Sequence, residues 1–155
     1  MPDIVTRALG MGAIAGFRSM ASPAALSRAV SDGRIEGLEG TPLSVLGSSR
    51  ASRMLRMFEI GEMLVDKLPI APSRTSLPPL LGRAASGAFV GAALFASENR
   101  RPAVGGVLGA AAAVVSAYAG ERLRLHAAER LAIPDLVVAL MEDGVVLLAG
   151  ARLLR

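Results

Sequence analysis

The sequence predicts an all-α fold, a polytopic transmembrane bundle of about four to five helices that includes one amphipathic helix. Three observations carry that expectation. Apolar residues make up 52% of the 155 residues and charged residues only 19%, where soluble domains hold roughly a quarter charged; mean hydropathy is +0.50. The stretch from Pro102 to Gly120 carries no charge and reaches the roughly 18–20 residues that cross a hydrocarbon core. Small residues recur four apart in three segments, as Gly12 and Gly16, Gly87 and Gly91, and Gly105 and Gly109. In lipid the hydrophobic effect does not drive helices together, and such stripes let backbones approach closely enough for dispersion contacts to do so.

The length suits one membrane-embedded domain, residues 1–155, with helices expected over 3–30, 48–68, 78–97, 102–127 and 134–153. The first is apolar from Ile4 to Val30 apart from Arg7, Arg18 and Arg28, and Pro23 is placed to bend it. If it crosses, Arg18 lies near mid-depth. A basic residue, an apolar run and the small residues around Met20 imitate a cleavable signal peptide, but Arg18 falls between the run and the cleavage position and argues against cleavage.

Ser31 to Ser49 is rich in Gly and Ser and reads as a polar loop. Arg50 to Leu68 differs in kind. At about 100° per residue, Met54, Met57, Phe58, Gly61, Leu64, Val65 and Leu68 share one face, and Arg53, Arg56, Glu59, Glu62, Asp66 and Lys67 the other. Its apolar face is expected against helices or the membrane interface, with Glu62 and Asp66 turned to a polar interior.

Pro78 to Ser97 carries one charge, Arg83, and the turn Glu98 to Arg101 joins it to the Pro102 stretch as an antiparallel hairpin. The last helix has Pro134 suited to its first turn, Glu142 and Asp143 at its centre, and Arg152 at its exit.

Composition also excludes. With no cysteine, disulfides, thiol redox chemistry and zinc-thiolate sites are ruled out. Aromatics are 3%, with no Trp, a single Tyr at 118 and four Phe, so bases have no stacking platform. The cations are sixteen Arg and Lys67, scattered at the ends of apolar segments; the expected partner is a lipid bilayer and not a nucleic acid, and a homo-oligomer is allowed. No strand precedes the glycines as a nucleotide loop requires. His126 stands alone, and Ser19, Ser22 and Ser73 have no His in motif range. No catalytic set, metal site or cofactor is expected.

The charges inside apolar segments are the informative residues, because lipid makes them costly. The candidate functional polar cluster is Arg18, Glu62, Asp66, Lys67, Arg74, Arg83, Glu142 and Asp143. Glu59, Glu62 and Asp66 stack along one helical stripe, where like charges raise one another's pKa or demand cations. Arg18 or Arg83 is the expected partner of Asp66, ahead of Lys67, which points about 100° away around the helix. The same helix carries Arg50, Arg53 and Arg56 first and its acids last, the reverse of what its macrodipole favours.

In order along the chain, the segments AGFRSMASPAAL, GEMLVDKLP, GRAASGA and MED resemble the bacterial membrane proteins of domain-of-unknown-function family 4126, from about Gly10 to Gly144. The most specific part is Glu62, Asp66, Lys67 and Pro69, followed by Arg83 and Gly87. The resemblance implies a small integral membrane protein of the bacterial inner membrane. Arg18, Pro23, Arg74, Glu142 and Asp143 also match its landmarks, and it carries no activity to transfer.

Three readings of the cluster follow. The first is structural: the charges pair and hold the bundle in one arrangement. The alternatives are a transporter or channel for protons, ions or a small anion, and a lipid head-group enzyme in which Glu62, Asp66, Glu142 and Asp143 hold Mg²⁺. Membrane orientation is tied by sequence, with Arg100, Arg101, Arg152 and Arg155 on one side against Arg74, Arg122, Arg124 and Arg130 on the other.

Overall fold

A computed structural model describes residues 2–65, 75–131 and 134–154 of the chain. Among them there is no strand. The elements in order are α1 (Ile4–Phe17), α2 (Ala21–Ser31), a short 3-10 helix (Pro42–Gly47), α3 (Ser49–Val65), α4 (Leu77–Ser97), α5 (Pro102–Leu131) and α6 (Asp135–Leu153).

The N-terminal segment is two helices, where one continuous helix bent at Pro23 was expected. Asp3 starts α1, its carboxylate accepting from the Thr6 amide at 3.0 Å; that bond holds the Asp3 pKa below the ordinary carboxylate value. The chain leaves α1 at Arg18, whose backbone is extended (φ −142°, ψ 109°), and re-enters a helix at Ala21. Pro23 sits inside the first turn of α2, where a missing N–H costs nothing because that turn has no helical acceptor for it. The break therefore falls at Arg18–Met20, and the proline lies inside the helix that follows it.

Both ends of this helix pair lie at the same end of α4. Arg7 approaches Glu98, just past α4, with Nη1 3.6 Å from the carboxylate. Beyond α2, Gly37 packs on the Ser97 carbonyl so closely that any Cβ there would overlap it, and its φ of +82° also suits glycine. The Ser22 hydroxyl donates back to the Met11 carbonyl at 2.8 Å. The pair thus enters the bundle, turns at Arg18–Met20 and returns. Counted along α4, where Arg83 reaches the turn, the tip lies about 21 Å from the Ser97 end, some two thirds of the way through.

The segment between α2 and α3 is less polar in its packing than its composition suggests. Ile35, Leu38 and Leu46 are buried, and the Ser27 hydroxyl donates to the Leu46 carbonyl at 2.6 Å. Helix α3 starts beside the end of α2 and runs antiparallel to it. None of its residues is fully buried: Met57 and Leu64 are 73% and 64% exposed, while Leu55 packs on the core and Glu62 turns inward.

Helices α4 and α5 form the expected hairpin and the tightest contact. Pro78 and Pro102 occupy first-turn positions, and Asn99 takes a left-handed φ of 54° in the connection. Any Cβ on Gly87 or Gly91 would overlap the carbonyl of Gly109 or Gly105, and the reverse also holds. Gly12 and Gly16 of α1 meet α5 in the same way, against Gly109 and against Ala113 and Ser116. Absent side chains bring three backbones together, the arrangement that helices in lipid need.

Helix α6 packs on α1 and α2, tied by Arg7, whose Nε donates to the Leu153 carbonyl at 3.1 Å. Among the described residues, two helices are long and apolar enough to cross a membrane: Leu77–Ser97, and Pro102–Ala127 within α5.

Candidate functional site: a charged helix break

At Arg18–Met20 the chain has left one helix and has not begun the next, so α1 presents its last carbonyls and α2 its first N–H groups with no partners within a helix. Three helices send polar side chains to meet them. From α4, the Arg83 Nη1 donates to the carbonyls of Gly16 and Phe17 at 2.7 and 2.8 Å. Its charge also suits the negative end of the α1 dipole. One turn further along α4, the Ser86 hydroxyl donates to the Ser19 carbonyl.

From α3, the Glu62 carboxylate takes the other half. One oxygen accepts from the Ser19 amide and the Ser19 hydroxyl, both at 2.8 Å, and the second accepts from the Met20 amide at 2.8 Å. Glu62 acts as an N-cap for α2 delivered from another helix, with a negative charge at the positive end of that helix.

From α6 comes Asp143. Arg18 Nε donates to its Oδ1 at 2.7 Å, and Nη2 lies 2.5 Å from the same oxygen. Arg18 is 1% exposed and Asp143 8%. The neighbouring Glu142 turns toward α5, where Arg124 Nε is 3.4 Å from its carboxylate. On the α1 side of the tip, the Ser116 hydroxyl donates to the Ala13 carbonyl at 2.9 Å.

Of the sequence-predicted cluster, the structure brings Arg18, Glu62, Arg83 and Asp143 to one place and sets Glu142 beside it. Asp66, Lys67 and Arg74 lie outside the described residues, and with them the question of which cation meets Asp66. Sequence reasoning missed Ser19 and Ser86 as ligands of the break, and it counted Arg124 only among the arginines on one side of the membrane. No local pattern marks the serines, because their role depends on where a distant helix ends. For Arg124 there was a signal: α5 is longer than a membrane span needs, and on α6 the adjacent acids Glu142 and Asp143 point about 100° apart and ask for two separate cations.

The proposed convergence of four carboxylates on a divalent ion is not what the described part of the site displays. Among the described residues, no three His, Asp or Glu side chains stand close enough to hold a metal ion together. What the break can do is hold charge: two arginines and two carboxylates, each aimed at an opposite charge or at a helix end of opposite polarity.

No curated protein and no solved structure matches the chain. A family model does, over residues 5–152, which takes in every helix of the bundle and the whole charged break, so the chain belongs to the family described as a domain of unknown function, DUF4126.

Proposed function

We propose that this is a small integral membrane protein whose buried charges serve as an internal lock, holding a re-entrant helix pair, α1 and α2, in one position within the bundle. The observation that carries the reading is an inverted distribution of polarity. Arg18, Arg83, Glu142 and Asp143 are buried, while Met57, Val107, Val115, Met141, Val145 and Leu148 are each at least 65% exposed. In water that arrangement would leave large apolar surface wet; in lipid it is the expected one, since intramembrane charges face the bundle interior.

The arginine distribution in the fold supports one orientation. Because α2 returns to the Ser97 end and α3 starts there, Arg28, Arg34, Arg50 and Arg53 join Arg100, Arg101 and Arg152 at that end. By the positive-inside bias this end faces the cytoplasm.

The chain has no cysteine, so single cysteines report cleanly. Placed at Gly33, Asn99 and Ser76, they are expected to give one side for residues 33 and 99 and the opposite side for residue 76, in a protein that resists alkaline carbonate extraction. Release by carbonate, or labelling of 33 and 76 from the same side, overturns the reading.

A second reading, transport of protons, ions or a small anion, is favoured by the break itself. Two half-helix ends meeting at charged side chains inside a bundle is how discontinuous helices build ion and substrate sites. It separates from the lock by one comparison: in a transporter Asp143→Asn folds normally and loses flux in sealed vesicles, whereas in a lock it loses folded protein.

A further inference from the structure

Away from the break, α2, α3 and α6 enclose a groove of about 300 Å³ lined by Ala24, Ala25, Arg28, Arg34, Arg56, Glu59, Leu147, Gly150, Ala151 and Leu154. Its two halves differ. The floor, from α2 and α6, is aliphatic, and a Cβ added at Gly150 would make only ordinary contacts with Ala25 and Ile14, at 3.6 and 3.7 Å. The rim is three guanidinium groups from three elements, the end of α2, the loop after it and α3. Arg34 is held by Asp32 at 2.6 Å, and Arg28 stands 3.9 Å from the same carboxylate. Two acids face three arginines, so a net positive charge remains.

From this geometry we infer that the groove binds a phosphate-bearing anion, its phosphate held by Arg28, Arg34 and Arg56 and its apolar portion laid on the α2–α6 floor. Guanidinium groups suit the task because their planar donors match phosphate oxygens two at a time. The size fits a small-molecule site. The place in the fold favours an anionic phospholipid as the source: the groove lies at the Asn99 end, near the level of a head group, and is flanked by the outward apolar faces of α3 and α6. That identification rests on the membrane reading; the arginine site itself does not.

Glu59 is the one acid on the groove lining. Burial, opposed by Arg56 and Arg28 and reinforced by Glu62, pushes its carboxyl above the ordinary glutamate pKa. When ionised it repels an entering phosphate; when neutral it can donate to one. The groups facing it are Arg28 and Arg34 from the α2 side and Arg56 and Glu62 on α3, while the lining contributed by α6 has no ionisable group.

The test uses the full chain purified in a neutral detergent, with affinities read by native mass spectrometry and thermal shift. The probes are phosphatidylglycerol, phosphatidylcholine, glycerol 3-phosphate and inorganic phosphate. Phosphatidylglycerol is expected to bind at least about tenfold more tightly than phosphatidylcholine, the Arg28→Gln/Arg56→Gln double variant to lose that preference, and Glu59→Gln to strengthen it. Arg28 and Arg56 are exposed, so their replacement leaves the core intact. If glycerol 3-phosphate or phosphate binds as well as the lipid and loses affinity in the same double variant, the arginine site stands and its ligand is a soluble phosphate. Equal binding of the two lipids with no phosphate binding, or an affinity unchanged in the double variant, overturns the proposal. Because the measurement is made in detergent, it can fail while carbonate extraction and cysteine labelling succeed, and the reverse.

Discussion

Arg18 and Asp143, 125 residues apart, meet inside the bundle with the Arg18 Nε 2.7 Å and Nη2 2.5 Å from a single carboxylate oxygen. Removing one member of such a pair strands a buried charge. Asp143→Asn and Arg18→Gln are each expected to cost about 3–5 kcal/mol. The double variant should lose clearly less than the sum, because two neutral amides can still bond each other. Thermal unfolding of the four proteins in detergent measures this, and strictly additive losses would remove the pair from the account of the break.

Glu62 accepts from two backbone amides that no helix can satisfy. Glu62→Gln keeps one acceptor oxygen and is expected to be the mild variant. Glu62→Ala leaves both amides without their carboxylate and should cost about 1–3 kcal/mol for each group stranded. Amide hydrogen exchange at Ser19 and Met20 reads it directly: exchange there should rise in Glu62→Ala and stay slow at α4 residues such as Val90.

Glycines separate by position. Gly91→Ala forces its methyl against the Gly105 carbonyl and is expected to destabilise by about 1–3 kcal/mol, the usual cost of overpacking. Gly144→Ala meets nothing within 4 Å and should be neutral or stabilising by up to about 1 kcal/mol, since alanine is the better helix former. Equal effects of the two substitutions would mean that the α4–α5 contact is looser than its backbones indicate.

Glu59 gives a pH dependence of known sign. Its folded pKa lies above the ordinary value of 4.5, so the folded chain binds the proton more tightly than the unfolded one, and stability falls as pH rises through that window. Glu59→Gln abolishes the titration. It is expected to flatten the decline of stability as pH rises above the ordinary carboxylate value, and to leave the protein more stable than the parent wherever Glu59 is ionised. A variant less stable than the parent at pH 7 would show that the ionised carboxylate is favourable in the groove.

Much of this fold is written in local patterns. The uncharged run of α5, the Glu98–Arg101 connection and the two-faced α3 each follow from a short window of sequence and a known period. The glycine pairs were legible as stripes, although sequence could not say that Gly91 faces Gly105 or that Gly12 reaches Gly109. Where the first helix breaks was not legible. Pro23 looked like the cause, yet the break depends on acceptors and donors arriving from α3, α4 and α6, a tertiary fact with no local signature. Arg18, Arg83 and Asp143 could be picked out because apolar surroundings make them conspicuous, and Glu62 because it shares a helical stripe with Glu59 and Asp66. Ser86 and Ser19 could not, because serine is ordinary in such helices.

The re-entrant pair has a consequence for how the protein is made. Arg18 leaves the ribosome 125 residues before Asp143, since synthesis runs from the N-terminus. Until α6 exists, an arginine committed to mid-bundle depth would face hydrocarbon without the carboxylate it ends up against, at a cost of several kcal/mol. On the membrane reading proposed above, the first two helices are therefore expected to settle only after the α4–α5 hairpin has inserted and α6 has been made. Released chains truncated before Glu142 should leave Arg18 open to aqueous reagents and the α1–α2 turn open to protease, and chains that run through α6 to Leu154 should close both.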